Sequence, residues 1–119
     1  MKHSFKIAIV LTAILLPAAA QARAFLDHAN PRVGSTVATA PKELLLWFTE
    51  KLEPAFSTVE VRNAQGAVVS GKAQVARGDG TGLRVPLKAL PPGTYLVSWR
   101  VLSVDTHCTQ GSFAFRVGP

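Results

Sequence analysis

The sequence predicts an all-β domain, an Ig-like β-sandwich or Greek-key β-barrel of about seven strands. Three observations carry that expectation. Short runs with apolar residues at alternate positions recur between residues 43 and 117. Clusters of Gly, Pro, Asn and Asp separate those runs, as turns require. Downstream of residue 24, no stretch of ten or more residues shows a helix-period apolar stripe.

The first 24 residues stand apart and read as a signal peptide. Lys2 and Lys6 precede the apolar run Ile7–Leu16, and Pro17 ends that run before an Ala-rich stretch. Ten apolar residues are too few for a membrane-spanning helix, which needs about 20. Small-x-small sites at Ala20-Gln21-Ala22 and Ala22-Arg23-Ala24 allow cleavage after Ala22 or after Ala24. The later cut leaves a mature domain of residues 25–119 and points to a periplasmic location. Lys2, Lys6 and Arg23 then depart with the leader, so ten basic and seven acidic residues remain, a net charge of +3. The remaining basic residues are singly spaced among apolar ones, which disfavours a nucleic-acid partner. One cysteine excludes an intramolecular disulfide framework and any multi-cysteine zinc or iron–sulfur site.

The elements follow in order. Glu43–Thr49 is an apolar, aromatic run bounded by Pro41 and by the Glu50–Pro54 stretch. Thr58–Arg62 alternates strictly, and Asn63-Ala64-Gln65-Gly66 turns it into a further run, Ala67–Ser70. Gln74–Ala76 is a short candidate strand, and the Gly-rich segment 78–82 is a turn before Leu83–Leu87. Pro91-Pro92-Gly93 makes a tight turn into Thr94–Val101, which places Tyr95, Val97, Trp99 and Val101 on one face. Ser112–Val117 closes the set with Phe113, Phe115 and Val117 on one side. Trp47, Phe48, Trp99, Phe113 and Phe115 are the core candidates, because aromatic residues at period two usually form the buried face of a sheet.

Chemistry concentrates between the last two long runs. Asp105 and His107 are two residues apart, and on an extended backbone both project from one face. A carboxylate and an imidazole there can share an ion, and that donor chemistry suits Cu(II), Ni(II) or Zn(II). Asp105 can equally orient His107 by accepting its second N–H, or simply cap a turn. The downstream half of the chain holds no G-x-S-x-G element, and with His28 and His107 as the histidines beyond the leader no Ser/His/Asp arrangement is legible. A non-enzyme is expected.

The run Pro92-Gly93-Thr94-Tyr95-Leu96-Val97-Ser98-Trp99-Arg100-Val101-Leu102-Ser103-Val104-Asp105-Thr106-His107 resembles the C-terminal signature of the CopC family of periplasmic copper-resistance proteins. Gly111 and the Phe113, Phe115, Val117 strand continue it. Upstream, Asn30-Pro31-Arg32-Val33-Gly34-Ser35 and Leu46-Trp47-Phe48-Thr49-Glu50 look like the family's early turn and its L-x-F-S-E strand. The resemblance spans essentially the whole mature chain. It implies a copper carrier in copper resistance or homeostasis, with copper, as Cu(II), held by Asp105 and His107. It also implies a CopD-like inner-membrane permease as partner; in an alternative reading the domain is an interaction module for that permease, without tight metal binding.

Two departures from the family pattern bear on the site. Phe25 occupies the place of the family's N-terminal His, so one imidazole is missing. The Phe25 amine or His28 then completes the metal shell, His28 only where a bend or bulge turns it. The single Met is Met1, which removes the family's Met-rich Cu(I) loop. Weaker copper binding than at a complete site is expected. Cys108 reads as a small buried hydrophobe, with an intermolecular disulfide or a thiolate favouring Cu(I) as its other readings.

Overall fold

The computed structural model describes residues 23–119; residues 1–22, and with them most of the expected signal peptide 1–24, lie outside the described residues. Eight strands form two four-stranded sheets. In chain order they are β1 (Leu26–Asn30), β2 (Thr36–Val37), β3 (Glu43–Phe48), β4 (Thr58–Arg62), β5 (Gln74–Val75), β6 (Gly82–Pro86), β7 (Gly93–Leu102) and β8 (Cys108–Val117), with a short 3-10 turn at Pro54–Phe56. One sheet runs β1-β3-β6-β5 and the other β2-β8-β7-β4. The sheets stay open at their edges, so the fold is a sandwich and not a closed barrel.

Alternation fills the space between them. From one sheet Leu44, Leu46, Phe48, Leu83 and Val85 point inward, and from the other Val59, Val61, Tyr95, Val97, Trp99, Val101, Phe113, Phe115 and Val117. Phe48 meets Trp99 edge to face across the sandwich, with ring centroids 5.2 Å apart. That geometry adds about 0.5–1.5 kcal/mol to area burial. Tyr95 packs on Phe115, and its hydroxyl donates to the Pro91 carbonyl, tying the strand to the turn that precedes it.

The β7–β8 hairpin is in register over ten pairs, from Gly93–Val117 to Leu102–Cys108. Trp99 lies directly opposite Gly111, and a Cβ at Gly111 would lie 2.5 Å from Trp99 Cζ2. Glycine there gives the indole its seat.

Trp47 departs from expectation. Phe48 faces the core, so its strand neighbour must face outward, and Trp47 is half-buried on the outer face. Ala67–Ser70 forms only the isolated bridges Arg62–Val68 and Ser70–Leu87 instead of a strand. The preceding turn is as expected: Gly66 has φ +82°, and Asn63 Oδ1 accepts from the Gln65 and Ala67 amides at 3.1 and 2.9 Å. β2 has no signature, because two residues are too few to show alternation; they pair with β8 in parallel.

Overpacking the indole seat sets a test. Gly111→Ala is expected to cost about 1–3 kcal/mol. Gly93→Ala, where the nearest atom to a new Cβ is 3.9 Å away, should stay within about 0.5 kcal/mol. Urea denaturation of both variants checks the contrast.

Candidate metal centre

The β7–β8 hairpin carries Asp105 and His107 in its loop. Beyond Leu102 the chain leaves the ladder through Ser103, which is fully buried and bridges to Leu52. The Ser103 amide donates to the His107 carbonyl at 2.9 Å, and the His107 amide donates to Ser103 Oγ at 3.3 Å. The Thr106 amide donates to the Ser103 carbonyl at 2.9 Å. One serine therefore ties both ends of the loop.

A second segment braces the loop from outside. The Val104 amide donates to the Lys51 carbonyl at 3.0 Å, and the Glu53 amide to the Leu102 carbonyl at 2.8 Å. Ser57 Oγ donates to the Glu53 carbonyl at 2.8 Å and accepts from the Leu102 amide at 3.1 Å. Backbone groups that the turn would leave unpaired are thus satisfied.

Thr106 sits in the left-handed region, φ +69°, a costly conformation for a β-branched residue. The same-face argument for Asp105 and His107 assumed an extended chain. The structure places them on a tight turn instead, with the reversal at Thr106 between them. Asp105 is exposed, while His107 is partly buried and its Nδ1 is buried with no hydrogen-bond partner among the described residues.

His28 is held elsewhere. The register of β1 against β3 shifts between Leu26 and His28, so Asp27 is an extra residue in β1. That bulge lets Leu26 and Ala29 both pack against the core although they are three apart. It also turns His28 outward onto Trp47, where the rings stack with centroids 4.4 Å apart and planes 15° apart. Asp27 Oδ2 lies 2.6 Å from His28 Nδ1. Among the described residues no three His, Cys, Asp or Glu side chains gather closely enough to hold an ion. His28 is therefore not grouped with Asp105 and His107.

In the uncut chain the Phe25 nitrogen is an amide, and it donates to Thr49 Oγ1 at 3.0 Å. Cys108 is exposed, not buried as expected. It begins β8 with its side chain on the outer face, and Arg100 Nε donates to its Sγ at 3.2 Å. This hydrogen bond raises the Arg100 pKa above its ordinary value. His107 is the last residue of the loop and Cys108 the first of β8.

The CopC domain profile matches residues 26–118. The chain belongs to the CopC family. Copper resistance protein C of Xanthomonas campestris pv. juglandis is 38% identical over 92% of this chain and 91% of its own. Protein YobA of Escherichia coli K12 is 35% identical over 95% and 92%. The crystal structure of CopC from Methylosinus trichosporium OB3b superposes with a TM-score of 0.77 at 33% identity, covering 82% of this chain and 95% of that one.

Sequence reasoning found the loop residues but missed the part played by Ser103. Its signal was its place in the S-x-D-x-H spacing. The His28–Trp47 stack had no sequence signal, because it depends on the bulge. Ser103→Ala should lower stability by about 1–3 kcal/mol, since it leaves the partly buried His107 amide without its acceptor. It should also speed hydrogen exchange at the His107 amide, which NMR reads directly.

Proposed function

We propose that this CopC-family chain is an exported, periplasmic copper carrier that takes Cu(II) at the β7–β8 hairpin through His107 and Asp105. The observation that carries the reading is the buried, unpartnered Nδ1 of His107. Buried polar atoms are almost always paired, and with the ring proton on Nε2 an unpartnered Nδ1 has a lone pair to offer a metal. Imidazole with carboxylate oxygen favours Cu(II) over Cu(I), and beyond Met1 the sequence has no thioether. The family membership and the names of the relatives support copper as the cargo.

Two side chains make a sparse shell. Each tenfold loss of affinity corresponds to about 1.4 kcal/mol, so a site short of one imidazole binds more weakly than a complete one. That scarcity of donors also favours a second reading, in which the domain docks beside a CopD-like inner-membrane permease and holds copper only loosely. No helix among the described residues is long and apolar enough to cross a membrane.

Excess Cu(II) is expected to raise the melting temperature by mass action. His107→Ala should abolish the rise, and His28→Ala should leave it intact. Acidification should diminish it, because a protonated imidazole cannot ligate. A melting curve unmoved by Cu(II) in the unmodified protein selects the docking reading; Cu(II) EPR counts the nitrogen donors.

A further inference from the structure

Arg23–Phe25 behaves as part of the folded domain. Ala24 is fully buried and belongs to the core. Its carbonyl accepts from Thr109 Oγ1 at 2.5 Å. On one side of it, the Arg23 carbonyl accepts from Thr49 Oγ1 at 3.2 Å. On the other, the Phe25 carbonyl accepts from the Thr49 amide at 2.9 Å. Thr49 directly follows β3 in one sheet, and Thr109 lies on β8 in the other. The three residues therefore form a strap across one edge of the sandwich, with Ala24 as the buried link.

The two candidate cleavage sites give different products. A cut after Ala24 would remove a buried methyl group, the acceptor of the Thr109 hydroxyl and the Arg23 carbonyl, and would put a charged ammonium at Phe25 where a neutral amide now sits. A cut after Ala22 keeps every one of these contacts.

We infer that the leader is removed on the amino side of Arg23, at the Ala22–Arg23 bond, and that Arg23 and Ala24 stay in the mature protein as this strap. The inference rests on the reading that the chain is exported. In the step, a membrane-bound leader peptidase adds water across the amide; Ala22 leaves with the new carboxylate and Arg23 keeps the amine. The peptidase acts on an extended chain, so the fold does not direct the cut. The fold shows which product is complete. The free amine of the mature chain then belongs to Arg23, and the Phe25 nitrogen stays an amide.

The full chain, expressed with its leader in a bacterium that has a periplasm, should yield an envelope form whose intact mass corresponds to a start at Arg23. A start at Phe25 overturns the inference and leaves export standing. A chain that keeps Met1 and stays in the cytosol overturns the export reading, and the inference with it. Forms starting at Arg23 and at Phe25, released from a fusion partner, then test the strap. The Arg23 form should melt higher by about 4–8 °C, the shift that ~1 kcal/mol produces in a domain of this size. Thr109→Val should lower the melting point of the Arg23 form only, because the Phe25 form has already lost the acceptor. Equal melting points, or an equal effect of Thr109→Val in both forms, overturn the structural role.

Discussion

The structure depends on the unbroken register between β7 and β8. Ten consecutive pairs set Tyr95 against Phe115, Val97 against Phe113 and Trp99 against Gly111, all on the buried side. A slip of one residue would exchange the two faces of a strand and turn this set to solvent. The aromatic face thus selects one alignment, and the same alignment decides where the loop falls. Asp105 and His107 sit at the turn because the pairing runs out at Leu102 and Cys108. The candidate site is in this sense placed by core packing, while the hydrogen bonds of Ser103 and of the Lys51–Glu53 segment hold the loop itself.

What the hairpin positions is a loop with most of its backbone groups satisfied and one side-chain atom left over. Ser103 ties both ends of the loop, the Lys51–Glu53 segment braces it, and His107 Nδ1 is the buried atom without a partner. A rigid frame around one unsatisfied nitrogen limits the entropy lost when a ligand arrives, since the ring is already confined. The same frame offers few further donors. Cys108 lies on the outer face of β8 beside Arg100, and His28 is engaged by Trp47 and Asp27 on the opposite sheet.

Strands with strict alternation were legible in the sequence, because period two has one structural meaning. Thr58–Arg62 is β4 as expected, and the inward set on β7 and β8 follows from the alternation. Elements too short to alternate were not: β2 has two residues and takes its place beside β8. Trp47 and Phe48 are adjacent aromatics, and composition does not say which of the two faces inward; the Leu44, Leu46, Phe48 alternation decides it. For the site, the identities of Asp105 and His107 were legible but their geometry was not. That geometry turns on a left-handed Thr106, which no residue type announces. The bulge at Asp27 was likewise invisible, and with it the direction of His28.

The parallel clasp of β2 along the end of β8 fixes the far end of the chain. The Gly118 amide donates to the Val37 carbonyl and the Arg116 amide to the Ser35 carbonyl, at 2.8 Å each. β8 runs ten extended residues from the loop at one end to this clasp at the other, a span of roughly 30 Å at the usual rise. Anything appended after Pro119, whether an affinity tag, a tether to a surface or a further stretch of polypeptide, emerges at the pole opposite the loop. A protein immobilised by its tail would present the loop of Asp105 and His107 to the bulk solution.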